Sequence, residues 1–254
     1  MSNFLQDKTA IVTGGSGTIG KAIAKSLLTS GCNVFITGRN QQRLEAAASE
    51  LNKNADDTST NCGKVNTFSC DVLDEKGVEK LFDAVQKTHG RIDLLVNNAG
   101  TQVPGPTEDM SVENFDKVMR VNVTGPFVCS KVAIRRMRAQ GKGGRIVNIG
   151  SLSASSPRPD SAPYTASKFA LLGLSKSLSL DCRKYDIAVG IVHPGNVASD
   201  LLSPEEIATR GKAEGFIAAE SVADCVLAMS SMPYHANILE MTVLPTKQPL
   251  VGRG

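Results

Sequence analysis

The sequence predicts a doubly wound α/β fold, a parallel sheet with helices on both faces, forming a single domain over residues 1–254. Three observations predict it. Short apolar, β-rich runs alternate with helical patterns almost from end to end. A glycine-rich turn closes the first run and opens the first helix. No linker, internal repeat or low-complexity tract divides the 254 residues. A chain of this length buries a sizeable core without a disulfide or metal staple. Short apolar runs bridged by helices make βαβ units, whose parallel strands are buried on both faces. Right-handed crossovers then place helices on either side.

The first strand is centred on Ala10-Ile11-Val12, followed by a helix over Lys21–Leu28 that ends before Gly31. Asn33–Thr37 is the second strand, and Gln41–Leu51, rich in Ala, Glu and Leu, is a helix. Asn52–Lys64 is polar and reads as a surface loop. Val65–Cys70 is a third strand, and Glu75–Thr88 places Val78, Leu81, Phe82 and Val85 on one helical face. Ile92–Val96 is a strand, Val112–Ala139 one long helix, and Arg145–Ile149 a strand. A helix over Ala162–Arg183, a strand over Ile187–Val192, a helix over Val222–Met229 and a seventh strand over Ile238–Leu244 complete the order.

Composition excludes several functions. Lys and Arg number 28 against 25 Asp and Glu, a net charge of +3, too weak for a dedicated nucleic-acid binder. No apolar run approaches the ~20 residues of a membrane span. Met1–Lys8 lacks a basic segment followed by an apolar one, so no presequence is expected. Six Cys at 32, 62, 70, 129, 182 and 225 show no metal or redox spacing and read as free, mostly buried thiols in a reducing, cytoplasmic setting. The three scattered His give no metal site.

Thr13-Gly14-Gly15-Ser16-Gly17-Thr18-Ile19-Gly20 joins the first strand to the first helix and fits G-x-G-x-x-G at Gly15, Gly17 and Gly20. Glycines permit the tight turn and the close approach of backbone to a pyrophosphate, and the helix N-terminus offers free N–H groups and its positive dipole end. The pattern is weak alone, but here it stands in the required place. A fold of this kind that takes NAD usually carries an acid after the second strand for the ribose 2′-OH. This chain has Gly38-Arg39-Asn40 there. A guanidinium attracts a 2′-phosphate, and no carboxylate repels it, which favours NADP(H) over the bland alternative of a surface Arg.

Tyr164 and Lys168 lie four residues apart in a helical stretch and share one face. A phenol with a pKa of about 10 is too weak an acid for neutral-pH chemistry, but a nearby ammonium favours phenolate, each ~1.4 kcal/mol lowering the pKa by about one unit. Lys168 is also placed to hold ribose hydroxyls. Ser151 stands at the carboxyl end of the fifth strand, where such sheets present ligands, and its hydroxyl can donate to a substrate carbonyl oxygen. Ser153, Ser155 and Ser156 compete with it, and spacing physics does not choose among them.

With these motifs in order, together with Asp71-Val72, Asn97-Asn98-Ala99-Gly100, Val121-Asn122-Val123-Thr124-Gly125 and Pro194-Gly195, the chain resembles the short-chain dehydrogenase/reductases along essentially its whole length. The family's spacing of thirteen residues before the tyrosine selects Ser151. The resemblance implies a Rossmann-like sheet of about seven strands. It implies Tyr164 as acid–base, Lys168 as the group that lowers its pKa and binds the nicotinamide ribose, and Ser151 as the substrate-positioning hydroxyl. Asn122 would interrupt the long helix and hold a relay water, a better use than the glycosylation-type match at Asn122-Val123-Thr124. Gly14, Ser16, Gly17, Thr18, Ile19 and Gly20 would cradle the cofactor. Asp71 and Val72 would hold the adenine; Asn98, Ala99 and Gly100 would line the ribose; Pro194, Gly195 and Val197 would meet the carboxamide, with Ser199 standing in for the threonine that the family often has there. The family is usually tetrameric, so a homo-oligomer, tetramer or dimer, is expected, with a small carbonyl or alcohol as substrate.

Departures are visible. Thr18 stands where the short branch has its middle glycine, and the string read as Gly14-x-x-Gly17-x-x-Gly20 matches the longer branch of epimerases and dehydratases. Gly150 stands where a second serine is common. A short substrate lid is expected over about 196–219, with Pro204, Gly211 and Gly215 as breakers and Leu201, Leu202, Ile207 and Phe216 as apolar members. Arg158 is either an anion anchor or a solvated loop residue. The ending Ile238–Gln248 resembles hydroxy-acid dehydrogenases and carbonyl reductases, or serves a subunit interface. The expected activity is NADP(H)-dependent hydride transfer between nicotinamide and a carbonyl or secondary alcohol. The rivals are a nucleotide-retaining epimerase or dehydratase and a non-catalytic nucleotide sensor.

Overall fold

The computed structural model describes residues 4–56 and 62–250. Seven strands, β1 (Thr9–Thr13), β2 (Asn33–Gly38), β3 (Val65–Ser69), β4 (Leu94–Asn97), β5 (Gly144–Ile149), β6 (Ile187–Pro194) and β7 (Glu240–Val243), form one sheet in the order β3-β2-β1-β4-β5-β6-β7. Every pairing is parallel. All eight residues of β6 and all six of β5 are buried between two helical layers, the polar Arg145, Asn148 and His193 among them.

One layer comprises α1 (Thr18–Thr29), α2 (Gln41–Asp56) and α8 (Ala219–Ser230); Ile23, Leu27, Leu44, Val222 and Val226 pack with Val12 and Ile36 of the sheet. The other comprises α3 (Glu75–His89), α4 (Val112–Met119), α5 (Gly125–Gln140) and α6 (Ala162–Cys182), whose Phe82, Val132 and Leu178 pack on Ile11, Leu95 and Ile146. The chain thus switches sides between β1 and β4, and ligands of such sheets bind outside the carboxyl ends of the strands at that point. No disulfide is formed among the described residues: Cys32, Cys70, Cys129 and Cys182 are buried, and Cys62 and Cys225 are half-buried.

Three elements differ from expectation. The helix α2 continues through the polar stretch to Asp56, so the loop expected over Asn52–Lys64 is shorter; its residues 57–61 lie outside the described residues. The long helix read from its pattern over Val112–Ala139 is interrupted at Asn122, as the resemblance implied: α4 and α5 are joined by a π turn over Arg120–Thr124. Pro126 supplies the cause, because it lacks the N–H that an α-helix would bond to the Asn122 carbonyl. Finally, Pro204 and Gly211, expected as breakers, lie inside a helix, α7 (Pro204–Ala213). Proline suits a first helical position, and Glu205 and Glu206 complement the dipole there.

Candidate active site

The carboxyl ends of the strands surround a cleft of about 1290 Å³. Its floor at one end is the glycine turn. Gly14 has φ +63°, and a β-carbon there would lie 3.0 Å from the Ala99 Cα. One on Gly20 would lie 2.3 Å from the Gly14 carbonyl oxygen, so backbone meets backbone at that point. Gly17, by contrast, meets nothing closer than 3.4 Å. Its glycine is not demanded by the protein's own packing, and it caps α1 without a side-chain hydrogen bond. The first-turn N–H groups of that helix have no acceptor within it.

An anion already sits there. The Asp200 carboxylate accepts a hydrogen bond from Thr18 Oγ1 at 2.7 Å and pairs with Arg43 Nη2 at 3.2 Å. Asn97-Asn98-Ala99-Gly100, at the end of β4, is fastened to the glycine turn. The Thr13 hydroxyl accepts from the N–H groups of Asn98 and Ala99, both at 3.0 Å, and Asn98 Nδ2 donates to the Thr13 and Gly14 carbonyls at 2.9 and 3.2 Å.

Past β2, Ser69 Oγ donates to the Arg39 carbonyl, and Asn40 Oδ1 accepts from the Arg43 N–H, starting α2. The exposed Arg39 side chain lines the cleft and makes no ion pair among the described residues. Asp71 and Val72 form the wall beyond β3.

At the other end, β5 and β6 deliver the polar set. Ser151 caps a 3₁₀ turn over Leu152–Ala154, its Oγ accepting from the Ser153 N–H at 3.1 Å. That bond uses an oxygen lone pair and leaves the hydroxyl hydrogen available. Ser156 also lines the cleft. Tyr164 and Lys168 project from the first turns of α6, with Lys168 Nζ 5.4 Å from the Tyr164 ring centre. Lys168 is buried and donates to the Ile149 carbonyl at 2.9 Å. Burial pushes its ammonium from 10.5 down to about 8.

Asn122 lies behind this set rather than on the cleft surface. Turned inward by the π turn, its amide accepts from the Thr101 N–H at 2.8 Å and donates to the Thr101 carbonyl at 2.9 Å and to Ser167 Oγ at 3.0 Å. The π turn is thereby tied both to the segment after β4 and to α6. Pro194, Gly195, Val197 and Ser199 line the cleft too, so the sequence-predicted residues, Asn122 apart, share one cavity.

The lysine gives a stability prediction. A fully buried ammonium suppressed from 10.5 to about 8 weighs about 3 kcal/mol against folding at neutral pH. Because the folded pKa is the lower one, that penalty is complete below about pH 8 and disappears as pH rises through 10.5. Lys168→Met removes it and leaves the Ile149 carbonyl unpaired, at a cost of about 1 kcal/mol. The variant therefore gains about 2 kcal/mol, or roughly 5 °C in melting temperature, at pH 7. Thermal unfolding of both proteins without added nucleotide should show the gain at pH 7 and none at pH 10.5.

Several cleft residues carry no local signal in the sequence. Arg158, whose side chain is 30% exposed, has partners that only the fold reveals: it pairs with Glu214 and donates to Asn196 Oδ1 at 3.2 Å. Gln248, from the C-terminal stretch, accepts from the Asn196 N–H at 2.8 Å and donates to its Oδ1 at 3.2 Å. Gln102 donates to the Leu201 carbonyl. Leu201 and Leu202 line the cleft together with Pro249 and Leu250. Among the described residues no group of three His, Cys, Asp or Glu side chains is placed to hold a metal ion, and no helix is long and apolar enough to cross a membrane.

Residues 8–209 match the family described as short chain dehydrogenase. The chain belongs to the short-chain dehydrogenase/reductase family. It is 36% identical over 208 residues to an NADP-dependent (R)-specific alcohol dehydrogenase of Lentilactobacillus kefiri, covering 81% of this chain and 79% of that one. A metagenomic short-chain oxidoreductase solved in complex with NADP superposes with a TM-score of 0.80 at 31% identity, covering 96% of this chain and 99% of the other. Actinorhodin polyketide ketoreductase with NADPH superposes with a TM-score of 0.83 at 30% identity, covering 94% and 96%. The glycine turn, the Asn97–Gly100 segment and the Tyr164/Lys168 pair of this short-chain oxidoreductase thus lie in a fold held in common with those proteins.

Proposed function

We propose that the protein is an NADP(H)-dependent reductase of carbonyls, or the reverse secondary-alcohol dehydrogenase, with Tyr164 as acid–base. The observation that carries this reading is the opening of Ser151, Tyr164 and Lys168 onto the same cleft as the glycine turn. The cleft fits a dinucleotide phosphate on its own geometry. The turn is cleared of β-carbons where backbone crowds backbone, the end of α1 already draws a carboxylate, and two arginines, Arg39 and Arg43, stand beyond β2.

When bound, the nicotinamide supplies or accepts the hydride. The chain's own residues do the rest. Thr18 and the first-turn N–H groups of α1 take the pyrophosphate, and Asp200 gives way to it. Arg39, with Arg43 one helical turn on, takes the 2′-phosphate. Asp71 and Val72 receive the adenine; Asn98, Ala99 and Gly100 the ribose; Pro194, Gly195, Val197 and Ser199 the carboxamide side. Ser151 donates to the substrate carbonyl oxygen while Tyr164 gives it a proton. Lys168 favours the phenolate by its charge and passes on the replacing proton, and Asn122 holds the segment through which a relay runs.

The substrate end lies beneath the lid over about 196–219. There Arg158 is neutralised by Glu214, which favours carbonyls recognised by shape over those recognised by a carboxylate. The exposed Phe127, Phe169 and Leu180 on α5 and α6 offer apolar surface to a second copy, consistent with a homo-oligomer.

The test is NADPH and NADH consumption, side by side, on β-keto acids, a β-ketoacyl thioester, an α-dicarbonyl, a quinone and an aromatic ketone. NADPH-dependent turnover on one class supports the reading. Tight nucleotide binding without net oxidation or reduction transfers it to an epimerase, and binding without turnover to a sensor.

A further inference from the structure

His193 lies in β6, immediately before Pro194-Gly195, and only 4% of it is exposed. The proposed chemistry gives it no part. Its imidazole reaches across from β6 to the end of β5, the strand it adjoins through the pair Ile149 and Val192. Nδ1 lies 2.9 Å from the Ser151 carbonyl oxygen and 3.3 Å from the Ser151 nitrogen. The room for this is made by Gly150: a β-carbon there would lie 2.6 Å from His193 Nδ1 and 2.9 Å from Cε1. The ring therefore fills the place of the side chain that Gly150 lacks, and it grips the neighbouring residue by its backbone.

We propose that His193 is a positioning residue for the reaction, holding Ser151 by its main chain so that the serine hydroxyl is fixed at the cleft. The inference rests on the role proposed for Ser151. From the shorter contact we assign the proton to Nδ1, which then donates to the Ser151 carbonyl, itself also accepting from the Ala154 N–H at 3.0 Å. In the other tautomer Nδ1 accepts from the Ser151 N–H at 3.3 Å, so the main chain is held in both. With the proton on Nδ1, Nε2 is a lone pair. It is buried with no hydrogen-bond partner, 3.4 Å from Glu240 Oε1 of β7. Lys176 of α6 shares that carboxylate at 3.5 Å, which offsets its charge, and Lys168 of the same helix adds a positive field from the cleft side. Burial, the largest effect, lowers the imidazole pKa from its ordinary value, with the Ser151 backbone and Glu240 opposing, so the ring is neutral at neutral pH.

The experiment compares His193→Leu with His193→Asn, whose amide nitrogen reaches the Nδ1 position. Leu should lower kcat about tenfold with the NADPH Kd unchanged, since small displacements of a positioning group are costly, and Asn should restore most of the loss. Leu as active as the wild type, or Asn as impaired as Leu, overturns the proposal. Should Leu not fold, nitrogen NMR of the wild-type imidazoles decides: a His193 Nδ1 engaged in a hydrogen bond, as donor when protonated or acceptor when not, supports the proposal, and an Nδ1 with no hydrogen bond overturns it. Tyr164→Phe run in parallel separates the two claims. Full activity there defeats the reductase reading itself, whereas a fault in the His193 proposal leaves Tyr164→Phe inactive.

Discussion

Replacing Tyr164 by Phe should lower turnover by about a thousandfold, the scale of a lost general acid–base. NADPH affinity should change little. The substitution removes one oxygen, while Lys168 keeps its bond to the Ile149 carbonyl and its place near the ring. The glycine turn, at the other end of the cleft, is untouched. Steady-state kinetics and nucleotide titration of the same preparation check both halves. Near-wild-type kcat with Phe at 164 removes the proposed mechanism, and a parallel loss of binding would assign Tyr164 to cofactor binding alone.

Reversing the charge at Arg39 should be the second large effect. Its guanidinium is exposed at the cleft wall and makes no ion pair among the described residues, so it is available to a 2′-phosphate. Asp there would exchange an attraction for a repulsion and accept hydrogen bonds from a 2′-hydroxyl. A change of about 3 kcal/mol corresponds to a shift of roughly a hundredfold in the ratio of kcat/KM for NADPH over NADH. Arg43 retains part of the pull, because Asp200 already engages it in the same region. An unchanged ratio would mean that Arg39 does not read the phosphate.

The strands were the most legible part of the fold. Fully buried parallel strands read as largely apolar runs, and β5 and β6 are buried at every position, with Arg145, Asn148 and His193 as their polar members. The glycine turn and the Tyr164/Lys168 pair were legible because each is local, one in a strand–helix turn and the other within one helical turn. The π turn was half legible: the resemblance implied an interruption at Asn122, while the helical pattern alone runs through it and the missing donor at Pro126 went unread. The helix α7 was missed by counting Pro204 and Gly211 as breakers, although proline at a first position followed by Glu205 and Glu206 is a start signal.

Long-range partners left no trace. Arg43 and Asp200 are 157 positions apart, Arg158 and Glu214 are 56 apart, and Asn196 and Gln248 are 52 apart. Such pairs appear only once the sheet order brings the carboxyl ends of the strands, the lid and the C-terminal stretch to one rim. Gly150 is the same case. In the sequence it is a missing serine; in the fold it is the space that the His193 ring occupies.

The central claim is that a hydride passes between a nicotinamide and a substrate carbon in this cleft. The most direct measurement is turnover with NADPH deuterated at the nicotinamide C4, followed by mass and NMR analysis of the product. The account predicts one deuterium on the new carbinol carbon, delivered to a single face, with one NADP released per product and no transfer by Tyr164→Phe. Deuterium remaining in bound nucleotide while the substrate is rearranged would contradict it.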